Sequence, residues 1–217
     1  MNENSNVISF GVVDYFLQPG HAYYEMKRCY APVFASVALD DHASIYLTND
    51  TTRTIAGSVE VSLFHLVKNE RTHQMELPFT IEPDATARLC TLDEWGQIRK
   101  EQIVCVRVLD KRRTLLAETI QPLDIERRLP YPQQVGLSMI ASADTDTLLL
   151  RCEHYARCVS LHGDGFEPLF DDNFFDLLPG ETKCIRVLRS PSSGVIYAET
   201  AYDQTIVSCQ WKKEKEK

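Results

Sequence analysis

From Val33 to Trp211 the apolar residues recur at every second position, in short runs broken by turn-forming residues. Ala43, Ile45 and Leu47 alternate with Ser44, Tyr46 and Thr48, and Asn49-Asp50 follows as a turn. Val59, Val61 and Leu63 alternate with Ser58, Glu60 and Ser62. Successive side chains of an extended strand point to opposite faces, so such a run buries one face and wets the other. An amphipathic helix would need spacings of three and four instead. A chain patterned this way has to pair its strands into sheets and bury one sheet face against another.

Residues 86–92, 103–109 and 114–120 add three strands, the last two joined by Asp110-Lys111-Arg112. About seven strands in about 95 residues matches an immunoglobulin-like sandwich. Residues 122–132 are charged and bounded by prolines, which places a domain boundary near Leu129. Beyond it, strands are expected at 137–141, 147–152, 156–162, 181–188, 195–201 and 205–211. Turns are marked by Pro179-Gly180 and Pro191-Ser192-Ser193-Gly194. The expected fold class is therefore all-β, with two tandem immunoglobulin-like β-sandwich domains at residues 33–128 and 129–217. A length of 217 residues accommodates two such domains. The charge-alternating residues 212–217 should fray.

Residues 1–32 have a different pattern. Residues 8–16 form an apolar extended segment that Pro19-Gly20 breaks, and residues 21–30 read as a short helix ended by Pro32. Ala22, Tyr23, Met26, Cys29 and Tyr30 form its apolar stripe, with Glu25, Lys27 and Arg28 facing out. A lone helix ahead of a β-rich chain has no evident sequence partner for that stripe. It reads as the tail of another structure.

Charge and cysteine usage exclude several classes. The net charge is −8, which repels nucleic acid and anionic membranes. Arg112-Arg113 and Arg127-Arg128 are isolated pairs near turns, not a basic stripe with interleaved aromatics. No apolar run approaches the roughly 20 residues that span a bilayer. Neither a nucleic-acid nor a membrane partner is expected. Residues 1–6 lack the basic and apolar regions of a signal peptide. Seven cysteines without CxxC spacing, most within strands, fit buried thiols in a reducing compartment. A cytoplasmic location is the expectation.

Candidate chemistry is sparse. Asn2-Glu3 and Asn69-Glu70 evoke a glycosidase acid, but retaining hydrolysis needs two carboxylates about 5–5.5 Å apart in one cleft. Glu70 lies in a polar hairpin and Glu3 at the terminus, so solvated loop carboxylates account for them. Cys152, His154, Cys158 and His162 could ligate zinc, yet the paired CxxC or HxxxH spacing of structural sites is missing. Asp40-Asp41, Asp144 with Asp146, and Asp171-Asp172-Asn173 could offer oxygens to calcium but lack EF-hand spacing, and turn chemistry explains them. Tyr46, Phe64, Trp95, Tyr155, Phe166, Phe170 and Trp211 could stack on sugars, although most belong in sandwich cores. Trp95, in Asp93-Glu94-Trp95-Gly96, fits a core least well. Trp95, Asp171 and Asp172 are therefore the candidate sugar contacts. No Ser-His-Asp order, phosphate-cradling glycine loop or HExxH occurs, so no catalytic residue, metal or cofactor is expected.

Two stretches point to a family. GDGFEPLFDDNFFDLLPGE at residues 163–181 resembles the FSDNYFDLLPGE signature of the last domain of β-mannosidases, members of glycoside hydrolase family 2. GVVDYFLQPGHAYYEMKR at residues 11–28, completed by Ala31-Pro32-Val33, resembles the end of their catalytic (β/α)8 barrel, where VVDYfxrPKpaYYxxKRxyAPV leads out to an immunoglobulin-like domain. The resemblance implies that residues 1–32 are the end of a barrel and residues 21–30 its last helix. It also implies that the catalytic glutamates lie upstream, and that Glu3, near the end of the family's WQLND segment, is not the catalytic acid. On this reading the chain is the non-catalytic accessory region of an enzyme acting on terminal β-mannosides or related β-glycosides. The barrel is its partner, a homodimer interface is a further expectation, and a carbohydrate-binding module for mannan-type oligosaccharides is the alternative. The chain is read either as a natural product or as a piece of a longer protein.

Overall fold

A computed structural model describes residues 11–14, 17–39, 43–96, 101–142, 145–203 and 205–212. The chain divides into two compact units, residues 28–130 and residues 1–27 with 131–217. Both are built from antiparallel sheets, as the period-two pattern requires.

In the first unit β1 (Val33–Ala38), β2 (Ser44–Asn49) and β5 (Ala85–Thr91) form a three-stranded sheet. β3 (Ile55–His65), β4 (Glu70–Ile81), β6 (Gln102–Asp110) and β7 (Leu115–Pro122) form a four-stranded sheet in the order β4-β3-β6-β7. Ala35, Ile45 and Leu47 of one sheet and Val59, Val61, Val104, Val106 and Val108 of the other make the core. β4 lay outside the expected strands, although Met75, Leu77, Phe79 and Ile81 alternate, and it carries Pro78. As an edge strand it tolerates a residue without an N–H. At Gly57 β3 leaves no room for a side chain against β6, since a Cβ there would lie 1.9 Å from the Leu109 carbonyl oxygen. Asn49, fully buried, donates to the carbonyls of Arg53, Ile81 and Glu82 and accepts from Thr51, tying the ends of β2 and β4 together.

On the outer face of the four-stranded sheet Glu76, Glu60, Arg107 and Glu118 stand in one cross-strand row. Arg107 Nε donates to Glu118 at 2.7 Å, and Arg113 from the β6–β7 hairpin reaches both Glu60 and Glu76. Glu60 and Glu76 are directly opposed like charges that Arg113 compensates. The Ser58 hydroxyl and then Arg113 hold the Glu76 carboxyl below its usual range.

The second unit stacks two four-stranded sheets. β8 (Ser138–Ser142), β9 (Thr147–Arg151), β11 (Leu169–Phe170) and β13 (Lys183–Arg189) run in the order β11-β13-β9-β8. β10 (Ala156–Gly163), β12 (Phe175–Leu177), β14 (Ser193–Glu199) and β15 (Val207–Lys212) run in the order β12-β10-β14-β15. Leu148, Leu150, Val159, Leu161, Ile185 and Trp211 are among its core residues. β11 and β12 were not among the expected strands, being two and three residues long, too short to display a period.

Residues 11–27 belong to this second unit. Val13 bridges Pro19, and the Asp14 carboxylate accepts the Gln18 N–H at 2.8 Å, forming a tight hairpin that delivers the chain into α1 (His21–Cys29). The helix matches the expected segment but buries a different face. Tyr24, absent from the expected stripe, is 1% exposed, whereas Tyr23, Met26, Cys29 and Tyr30 face outward. At 100° per residue Tyr24 lies roughly opposite that stripe. Summed apolarity favours that stripe, but the residue of the helix that the structure buries is Tyr24. Among the described residues no helix is long and apolar enough to cross a membrane.

Candidate functional site

The segment between β11 and β12, Asp171-Asp172-Asn173-Phe174, carries most of the chemistry singled out from sequence. Asp171 continues the strand pairing beyond β11. Its N–H donates to the Arg186 carbonyl at 3.0 Å and its carboxylate accepts the Arg186 N–H at 2.8 Å. Asp172 accepts the Asn173 N–H at 2.9 Å and pairs with Lys183 at 3.0 Å, while Lys183 lies 4.6 Å above the Phe175 ring. Asn173 is 5% exposed. Its Oδ1 accepts from the N–H groups of Leu161 and Phe174, and its Nδ2 donates to the Leu161 carbonyl. That amide stands in for a missing strand beside β10. Phe174 consequently adopts φ +54°, a left-handed conformation uncommon for so bulky a residue.

Asp176 anchors the far end of the segment. It accepts from the Tyr155 hydroxyl at 2.6 Å, the Arg157 guanidinium at 2.5 Å and the Cys158 N–H at 2.9 Å. Cys158, at φ +51°, forms the β10 bulge opposite β12. Tyr155 is fully buried, and burial followed by the Asp176 charge pushes its phenol well above the ordinary value.

The helix sits on this segment. Phe174 stacks on His21 with ring centres 5.2 Å apart and lies tilted 5.9 Å from Tyr24. The Tyr24 hydroxyl donates to the Phe170 carbonyl at 3.4 Å and Lys27 Nζ to the Asp171 carbonyl at 2.5 Å. Burial, then the charge of Asp172, pushes the Tyr24 phenol up to about 12, although the Phe170 carbonyl acts in the opposite direction. Thus Asp171 and Asp172, two of the candidate sugar contacts, are adjacent and engaged with Arg186, Lys183 and α1.

Trp95, the third candidate, lies in the other unit. It ends a short 3-10 turn, Asp93–Trp95, followed by Gly96 at φ +72°. One side packs on the first core, and His73 stacks on the ring at 5.4 Å. His73 pairs with Leu63 and so shares the core-facing side of the sheet, which makes the indole a closure for the end of that core.

The sulfur and nitrogen candidates disperse. Cys152 is buried, donates to the Leu177 carbonyl at 3.4 Å, and its thiol is pushed up to about 12 by burial. Cys158 lies 3.9 Å from His21, His162 stacks on Tyr197, and His154 is exposed. Among the described residues no group of three His, Cys, Asp or Glu could hold a metal ion. Glu70 opens β4 with its carboxylate in solvent, 3.7 Å from Lys68. Asp146 bulges at φ +47° and its carbonyl accepts the Val187 N–H. Glu3, Asp40, Asp41 and Asp144 lie outside the described residues.

Sequence reasoning missed Tyr24, Asn173 and Phe174 as the centre of this arrangement. The Asn-Phe pair carried one usable signal, since an asparagine beside a turn often bonds neighbouring backbone. Nothing in a phenylalanine announces a positive φ.

Comparison with known proteins follows the same division. Residues 41–122 match the family described as a mannosidase Ig/CBM-like domain. Residues 131–198 match the Ig-fold domain of mannosidases. No curated protein sequence matches the chain. The β-D-mannosidase of Dictyoglomus thermophilum superimposes with a TM-score of 0.78 at 18% identity, over 95% of this chain and 26% of that one. The exo-chitosanase of Amycolatopsis orientalis gives 0.72 at 13% identity, over 96% of this chain and 30% of that one. At such identities the likeness is one of fold, and the chain spans less than a third of either enzyme.

Proposed function

The chain is a β-mannosidase-like C-terminal region, a mannosidase Ig/CBM-like domain followed by a mannosidase Ig-fold domain, and on that premise we propose that it is the non-catalytic accessory part of a retaining β-glycosidase of glycoside hydrolase family 2. Its role is to hold and support a catalytic barrel that cleaves terminal β-mannosides or related β-glycosides. The observation that carries this reading is the double-faced helix. α1 puts Tyr24 into the second sandwich and leaves Tyr23 and Met26 outward, and Tyr30, just past its end, is 79% exposed. A short helix with one aromatic face seated and another in water is suited to lie between two bodies, and the second body is the barrel. Asp171, Asp172 and Trp95 each make contacts within their own domains, which favours a supporting role over a sugar platform.

Seven cysteines, the thiols of Cys105 and Cys152 buried among them, favour a reducing, cytoplasmic setting. The genomic DNA directly upstream of codon 1 tests the proposal. An in-frame (β/α)8 barrel with two strand-end glutamates is expected, and upstream sequence unrelated to any glycosidase would overturn it.

A further inference from the structure

The segment that resembles a family signature has no assigned task, and its hydrogen bonds are directed at structure rather than at a ligand. Three features of it converge on α1. First, the helix residues that reach it, His21, Tyr24 and Lys27, are spaced by three and therefore share one helical face. Second, Phe170, Asp171 and Phe174 supply the matching surface, namely two backbone carbonyls that accept from Tyr24 and Lys27 and one ring that meets His21 and Tyr24. Third, Phe174 keeps a left-handed backbone that a bulky residue disfavours, with its N–H bonded to Asn173 Oδ1. An ordinary β conformation would aim the ring elsewhere. Strain retained at a residue with a specific contact is a sign of a positional task.

We propose that residues 170–174 are a helix socket, that α1 is its occupant, and that Phe174 is the anchor which fixes the helix to the second sandwich. The acidic residues of the segment then shape the socket: Asp171 and Asn173 replace missing strand partners, and Asp172 is held by Lys183. Every one of these contacts lies within the unit formed by residues 1–27 and 131–217. The socket concerns this chain alone, so it stands or falls independently of which enzyme the chain supports.

The test is amide hydrogen exchange on the full chain carrying Phe174→Gly. Glycine suits φ +54°, so the sandwich keeps its protection and its urea midpoint, or gains slightly. The helix loses its anchor, and amides of residues 22–29 should exchange at least about tenfold faster. Tyr24→Ala should produce the same loosening from the helix side, again with the sandwich intact. Unchanged α1 exchange in both variants would overturn the proposal. So would parallel loss of protection in α1 and the sandwich core in Phe174→Gly, because Phe174 would then be a core residue and not an anchor.

Discussion

Replacing Asn173 probes the segment where it is most constrained. The side chain is 5% exposed and meets both polar groups of the Leu161 backbone, N–H to Oδ1 at 2.8 Å and carbonyl from Nδ2 at 3.0 Å. Leu161 pairs on its other side with Ala198 of β14, so Asn173 serves as the absent neighbouring strand. In Asn173→Ala two buried backbone groups lose their partners. Each unsatisfied group costs about 1–3 kcal/mol, so the pair costs about 2–6 kcal/mol, the lower figure if water fills the gap. That is a large share of the roughly 5–15 kcal/mol that holds a domain folded.

Asn173→Asp refines the test. At neutral pH it keeps the acceptor but sets a carboxylate oxygen against the Leu161 carbonyl. Once protonated, the acid can donate to that carbonyl, so its folded pKa would be raised. Its stabilising contribution is then present below the unfolded value of about 4 and lost as pH rises through the folded value. The assay is urea unfolding followed by Trp211, which is 2% exposed in the second core, in a Trp95→Phe background. With a slope of about 2 kcal/mol/M, Asn173→Ala should lower the midpoint by roughly 1–3 M. Asn173→Asp should be as damaging at pH 7 and recover toward the parent near pH 3. A midpoint shift below about 0.3 M for both variants at pH 7 would refute the strand-replacement role.

Three further outcomes follow from other sites. Gly57→Ala places a Cβ 1.9 Å from the Leu109 carbonyl oxygen, so the first sandwich should lose about 1–3 kcal/mol or more, read as a lowered thermal midpoint in a Trp211→Phe background. Asp203 is buried, which raises its pKa, but the N–H groups of Val135 and Thr205 outweigh this and hold the carboxyl below its usual range. A depressed folded pKa gives stability that is present above the unfolded value and lost as pH falls through the folded one. Asp203→Ala should therefore cost about 1–3 kcal/mol at pH 7 and progressively less in acid, as urea titrations at pH 7 and pH 3 would show. Thiol labelling of the native chain should modify the exposed Cys29 and Cys184 first and the buried Cys105 and Cys152 last, with peptide mapping as the readout.

The sandwiches were legible because a two-residue period is a direct image of a half-buried strand. The runs at Ile45 and Leu47, or Val59 and Val61, became the core strands β2 and β3. β4 was harder, since Met75, Leu77, Phe79 and Ile81 alternate properly but Pro78 argues against a strand until the edge position is known. β11 and β12 were not legible at all, because their pairing is completed by the side chains of Asp171 and Asn173. The helix was placed correctly and turned the wrong way. Apolarity alone favoured Tyr23, Met26 and Tyr30, whereas burial was decided by a Phe174 ring 150 residues away in sequence. The contacts of Asp171, Asp172 and Trp95 were not legible for a related reason: a residue type shows what a side chain can bond, and only the fold shows which neighbours within its own unit bond it.

That the chemistry lies outside these 217 residues is tested most directly by assaying the purified chain with an aryl β-mannoside. No turnover above a buffer blank is the expected result. Hydrolysis that survives repurification and scales with the concentration of this chain would contradict it.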